Sequence, residues 1–164
     1  MAAAEFSLLL RALTDGEVAF LLVGGLSAVL QGAPVDTFDV DIVHRRDPAN
    51  VERLLRVLDS LDAIYRAEPE RQLLPTAGHL LSPGHQNLLT RLGPLDVLGA
   101  IGDNQDYDNL LPSCDPMDLG PGLTVRVLRL DRYIAFKEAL GGDKDRAVLP
   151  TLRQTLRERQ ARRR

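Results

Sequence analysis

Thr37-Phe38-Asp39-Val40-Asp41-Ile42-Val43 is a run of β-branched and aromatic residues interrupted by two acids. Its composition predicts a strand, and on a strand residues i and i+2 share one face. Asp39 and Asp41 then project together while Val40 turns into the core. Two adjacent carboxylates repel each other and resist desolvation, a cost that a hard divalent cation removes. Oxygen donors of this kind favour Mg²⁺ or Mn²⁺. Asp96 repeats the theme inside the apolar run Pro94-Leu-Asp-Val-Leu-Gly-Ala-Ile101, where an isolated charge is unwelcome. With its strand laid beside the first, Asp96 completes a three-carboxylate cluster able to hold two metal ions. Such a pair suits a phosphoryl-type displacement, in which one oxygen attacks as another leaves.

Outward from this stretch, Val18–Val23 is a continuous apolar run stopped by Gly24-Gly25, which predicts a buried strand entering a glycine turn. Glycines there let backbone N–H groups approach a phosphate, and Ser27 adds a hydroxyl at the start of a short helix to Gln31. A first amphipathic helix is predicted over residues 3–13, ending before Asp15-Gly16. Another spans Pro48–Leu61, with Asp47 as its N-cap. Gln72–Leu81 and Gln86–Leu92 read as two strands joined by the Ser82-Pro83-Gly84-His85 turn, and Leu95–Ile101 as a third. Asn104–Leu111 is a short helix or an irregular turn, and Thr124–Leu128 a final strand. Asp131 is expected to cap a helix through Leu140, stopping at Gly141-Gly142. Asp143 begins a last helix that Pro150 bends or restarts. The order of elements predicts one α+β domain over residues 1–164, with a core at about 15–128, C-terminal helices at about 131–164 and helices on one sheet face.

Composition narrows the function. Hydrophobic residues make up 45% and charged residues 26%, as in an ordinary soluble globular chain. Aromatics are 4% with no Trp, which argues against binding single strands on base-stacking platforms. Cys114 has no cysteine to pair with, and the histidines do not cluster, so neither a disulfide nor a structural zinc site is expected. The N-terminus lacks a leader's basic start, and no segment approaches the roughly 18 apolar residues of a membrane span. No membrane association is expected, and the expected compartment is the cytoplasm. Residues 151–164 hold six arginines and one glutamate, a basic tail on an otherwise acidic chain of net charge −3. Such a tail suits contact with RNA; the simpler account is a solvated helix end whose cations complement the helix dipole. His44, His79 and His85 are assigned surface or local hydrogen-bonding roles, His44 because Arg45 and Arg46 carry the chain out of the core. Asp103, Asp106 and Asp108 are read as helix-capping acids.

Thirteen residues, Leu26 to Phe38, separate Gly25 from Asp39. An apolar residue before Gly-Gly, this gap, Asp-x-Asp on a strand and a later Asp on an apolar strand together resemble the polymerase β-type nucleotidyltransferase superfamily. More narrowly, the chain is similar to the small bacterial nucleotidyltransferases of toxin–antitoxin and related systems. Leu130-Asp-Arg-Tyr-Ile-Ala-Phe-Lys-Glu-Ala-Leu-Gly-Gly-Asp-Lys-Asp145 resembles their C-terminal helix–glycine–Lys-Asp element, so the likeness spans approximately Leu21 to Leu152. It implies a mixed palm-like sheet with helices packed on it and a C-terminal helical segment. It also implies transfer of a nucleoside monophosphate from an NTP with release of pyrophosphate. In that scheme Gly24, Gly25 and Ser27 hold the triphosphate, Asp39 and Asp41 bind both metals, and Asp96 binds the catalytic metal and helps activate the acceptor hydroxyl. Lys137 is a candidate triphosphate contact or else a solvated helix lysine, while Lys144 and Asp145 order the site or touch substrate.

Three departures from the pattern stand out: Val35, Gly142 and Val148 occupy positions that are often charged in relatives. They leave three functions open. The first is an enzyme modifying RNA or a protein partner, in defence or growth control. The second is a weakly active or inactive fold that neutralises a partner by contact. The third, ranked last because a chain this short leaves little material for a dedicated pocket, modifies an antibiotic hydroxyl.

Overall fold

A computed structural model describes residues 3–164. Met1 and Ala2, which open the stretch read as lacking a leader, lie outside the described residues. Among the described residues seven strands form one sheet: β1 Phe20–Val23, β2 Val40–His44, β3 Ile64–Tyr65, β4 His85–Thr90, β5 Gly93–Leu98, β6 Cys114–Asp118 and β7 Thr124–Leu128. Their order across it is β3-β4-β5-β2-β1-β7-β6. The sheet is mixed: β2 runs antiparallel to β1 and parallel to β5, and β1 runs parallel to β7. Around it lie α1 Phe6–Asp15, α2 Gly24–Leu30, α3 Pro48–Ser60, α4 Ala77–Leu81, α5 Tyr107–Leu110, α6 Leu130–Leu140 and α7 Asp143–Arg162. Among the described residues no helix is long and apolar enough to cross a membrane.

β1 is buried along its whole length and feeds two cores by simple alternation. Phe20 and Leu22 join Leu9, Leu10 and Leu13 of α1 and Leu54 and Leu58 of α3. Leu21 and Val23 join Tyr133 and Ile134 of α6 and Leu149 and Leu152 of α7. Helices therefore cover both faces of the sheet, where the element order predicts one. A central strand with no polar residue can only be satisfied this way.

Asp47 caps α3 as expected, its carboxylate accepting from the Asn50 N–H at 2.9 Å, with Pro48 in the first turn. Asp106 likewise caps α5 through a reciprocal pair with Asn109. Four expectations fail. Gln72–Leu81 is not a strand: Thr76 accepts from the His79 N–H and starts α4, which buries Leu80. Asp131 is not a cap; α6 begins one residue earlier behind Arg129, and Asp131 instead pairs with that arginine at 3.2 Å. The third strand of this stretch runs not over Leu95–Ile101 but over Gly93–Leu98, Gly93 opening β5 at φ +107 after the two-residue Arg91-Leu92 hairpin turn. His44 does not leave the core; it is the buried last residue of β2, its Nε2 against the Leu80 carbonyl at 2.6 Å.

Gln31, just past α2, ties three elements together in a buried position. Its Nε2 donates to the carbonyls of Ser27 and Leu128, each at 2.8 Å, and its Oε1 accepts from the Leu130 N–H at 2.9 Å. α2, the end of β7 and the start of α6 are thus held at fixed spacing. Gln31→Ala removes those partners without letting water in. It is expected to destabilise the fold by about 2–4 kcal/mol, read as a lower urea midpoint at unchanged slope.

Candidate active site

Parallel pairing of β2 with β5 sets Asp41 directly beside Asp96 in register. Asp39, one residue ahead of β2, projects to the same side, so that one carboxylate oxygen from each of the three acids lies within 4.8 Å of the others. Asp41 and Asp96 lie on the same side of the sheet as Val43 and Leu98, two residues on along each strand, which pack into the core under α6 and α7. The acids therefore sit at the mouth of an apolar layer, partly withdrawn from water. Burial, a hydrogen bond with Asp96 and the charge of Asp39 push the Asp41 carboxyl up to about 8. Burial and Asp96 raise Asp39 as well. Arg66 opposes both shifts.

Antiparallel pairing of β1 with β2 places Val23 opposite Asp41, which brings Gly24 to the same spot. Gly24 has φ +69, and a Cβ there would overlap Asp41 Oδ2. Only a residue without a side chain satisfies both the backbone and the carboxylate. At Gly25 a Cβ would come within 3.0 Å of Thr37 Oγ1. α2 starts at Gly24 itself, so the expected glycine turn is in fact the first turn of a helix. Ser27 is fully buried, and its Oγ donates to the Gly24 carbonyl at 2.6 Å, a brace under the Gly-Gly segment.

A cleft of about 250 Å³ opens beside Asp41, floored by Gly24 and Gly25 and walled by Tyr133, Phe136 and Lys137 of α6. Lys137 Nζ donates to Asp145 Oδ1 at 2.9 Å and lies 5.5 Å from the centre of the Tyr133 ring. Burial works against the Lys137 charge, but Asp145 and Tyr133 outweigh it and hold the ammonium above its ordinary range. In turn Lys137 holds the Asp145 carboxyl low. The structure therefore joins Lys137 and Asp145, whereas Lys144 is exposed in the first turn of α7. The departures have local causes. Val35 and Val148 pack against the core that includes α6 and α7, and a Cβ at Gly142 would lie 3.0 Å from Asp145 Oδ2.

Arg66 escapes the sequence reading, and His85, expected in a surface or local hydrogen-bonding role, fills that role and also lines the cleft. Arg66 Nη2 donates to Asp96 Oδ1 at 2.8 Å. His85 opens β4, lines the cleft and bonds the Ala100 carbonyl through Nε2 at 2.8 Å. His79 is exposed and edge-on to Tyr65.

In its mixed sheet and flanking helices the chain shares the fold of two solved structures described as nucleotidyltransferases. A candidate nucleotidyltransferase from Thermotoga maritima superposes with a TM-score of 0.55 at 19% identity, over 93% of this chain and 91% of that one. The lincosamide antibiotic adenylyltransferase LnuA, in its lincomycin-bound structure, superposes with a TM-score of 0.61 at 14% identity, over 94% and 99%. No protein-family model matches the sequence, and no curated protein matches it at a significant score.

Because the folded chain keeps a proton on Asp41 up to about pH 8 that the unfolded chain gives up near its ordinary value of 3.8, folded protein binds more protons throughout that window. Stability conferred by this group is present at low pH and lost as pH rises through it. Cation-free protein is expected to melt at steadily lower temperature from about pH 5 to about pH 8, and Asp41→Asn to flatten that slope. Equal slopes in the two proteins, measured by thermal melts in EDTA, would show that Asp41 does not carry the proton.

Proposed function

We propose that this protein is a divalent-cation-dependent nucleotidyltransferase that moves a nucleoside monophosphate from an NTP to an acceptor hydroxyl and releases pyrophosphate. The observation that carries the reading is the convergence of Asp39, Asp41 and Asp96 within 4.8 Å at the edge of a nucleotidyltransferase fold. The residues fit Mg²⁺ or Mn²⁺. All three donors are hard oxygens, they are partly buried, and burial together with the neighbouring acids favours a proton on Asp41 that a cation would displace.

In this reading Asp39 and Asp41 hold two cations and Asp96 shares one of them. Bound cations supply neutralisation of phosphate charge and polarisation of the reacting oxygens. Asp96 helps activate the acceptor hydroxyl, whose oxygen forms a bond to the α-phosphorus as the bond to the bridging oxygen of the β-phosphate breaks. Backbone N–H groups at Gly24 and Gly25 face the triphosphate, with Ser27 acting from beneath through its bond to the Gly24 carbonyl. Lys137 borders the same cleft as a phosphate contact, Asp145 orders it, and exposed Lys144 is left to meet the acceptor.

The acceptor is RNA or a partner protein, in a toxin–antitoxin or defence setting. Exposed Arg157, Arg162, Arg163 and Arg164 at the end of α7 support a polyanionic acceptor. One observation favours a second reading, a small-molecule hydroxyl. The cleft beside Asp41 is walled by Leu98, Ile101, Leu128 and Phe136, an apolar lining suited to a compact ligand. LnuA, nearly all of which this chain covers, has lincomycin bound, so a chain of this length is not too short for such a pocket.

Incubation with NTPs labelled at the α-phosphate, Mg²⁺ or Mn²⁺, and separately total RNA, candidate partner proteins or a panel of hydroxylated small molecules distinguishes the acceptors. Label transfer is expected, falling by roughly 10³-fold or more in each of Asp39→Ala, Asp41→Ala and Asp96→Ala. Transfer that survives all three changes rejects the site. Tight binding of a partner with no transfer under any condition favours a fold that acts by contact alone.

A further inference from the structure

The functional reading leaves one cation at the acid cluster without a role. Arg66 follows the short edge strand β3, and its pair with Asp96 is sheltered, with 22% and 13% of the two side chains exposed. The guanidinium is anchored as well as paired. Its Nη1 donates to the Leu88 carbonyl at 3.2 Å, and the Arg66 N–H donates to the Asn87 carbonyl at 3.0 Å. Both carbonyls belong to β4, and Asn87 is the residue that β4 sets opposite Asp96. Among the described residues this is the ion pair made to an acid of the cluster.

Resting on the reading that Asp39, Asp41 and Asp96 hold divalent cations, we propose that Arg66 is a positioning residue: a resident counter-ion that keeps Asp96 in place and lowers the cluster's affinity for the cation. Without a cation the guanidinium faces the Asp96 carboxylate inside the crowded acid cluster and fixes its side chain through a charge-assisted bond. With a cation held, two positive groups face one carboxylate and repel each other. The contact is therefore worth more in the cation-free protein than in the loaded one. An interaction of that kind lowers ligand affinity by the difference. Arg66 thus gives the free protein a formed, correctly spaced site and makes cation binding weaker and more readily reversed. A purely structural tie between β3 and β5 predicts no such coupling.

The test uses the whole chain without nucleotide. Mn²⁺ affinity is measured by calorimetry and thermal stability by melts in EDTA, for the natural protein, Arg66→Met, Arg66→Gln and Arg66→Lys. Arg66→Met is expected to melt lower in EDTA yet bind Mn²⁺ on the order of tenfold more tightly. Arg66→Lys, which keeps the charge, stays within about threefold of the natural affinity. Arg66→Gln keeps a donor without the charge and gives the same reading if Arg66→Met does not fold: tighter Mn²⁺ binding supports the proposal. Unchanged or weaker binding in the uncharged variants overturns it in favour of a structural tie. Equal Mn²⁺ binding by the natural protein and Asp39→Ala rejects the cation site itself, and the proposal with it.

Discussion

Three carboxylates forced together on one face of a sheet dominate the physics of this molecule. Parallel pairing of β2 with β5 is what forces them, because it sets Asp41 and Asp96 side by side with no freedom to separate. An antiparallel or shifted β5 would turn Asp96 to the other face or carry it away along the strand. The neighbouring structure then accommodates the crowding. Gly24 gives up its side chain so that the Asp41 carboxylate has room, a proton settles on Asp41, and Arg66 comes in from the sheet edge to offset Asp96. Each response is local, and the last two answer a charge imbalance that a divalent cation would answer instead.

The rigidity that holds those acids comes from the apolar layers beneath them. β1 and β2 are central strands, buried from both sides, with α1 and α3 on one face and α6 and α7 on the other. Gln31 fixes how α2, β7 and α6 meet. The Gly24-Gly25 segment and the α6 wall with Lys137 are consequently placed relative to one another by buried hydrogen bonds rather than by surface contacts. A site built this way tolerates charge crowding because its strands cannot relax away from it.

Much of this was legible in the chain. The period of two puts Asp39 and Asp41 together, and an acid in the apolar run 94–101 is explained only by company. Caps at Asp47 and Asp106 follow from residue type and spacing. What was not legible depends on contacts distant in sequence. Gln72–Leu81 is too short and too broken by Pro75 and Gly78 to show a helical period, and the Thr76 hydroxyl and the packing of Leu80 decide for a helix over its second half. His44 ends β2 and precedes two arginines, and its burial rests on the Leu80 carbonyl thirty-six residues away. Nothing near Arg66 marks it, since its meaning comes from β4 carrying it across to Asp96 thirty residues later. β3 and β6 escape because a two-residue strand, and one containing Pro116 between acids, carry no apolar alternation.

The charged positions that this chain lacks also take on a different sense. Val35 and Val148 are partly buried and pack against the core, so each supplies apolar contact there instead of charge. Positive charge arrives from elsewhere, from Arg66 at the sheet edge and Lys137 on α6, and both cations are already engaged by carboxylates, Asp96 and Asp145. On the proposed reading a triphosphate entering the cleft meets no idle cation. Contact with Lys137 requires the ammonium to share or exchange Asp145, and a cation on the acid cluster requires Asp96 to divide itself between that ion and Arg66. Substrate and metal would then reinforce each other, since each supplies a counter-charge for the side chain that the other's arrival releases. Two separate ion pairs, rather than the acidic triad alone, would set how tightly the free protein holds its ligands.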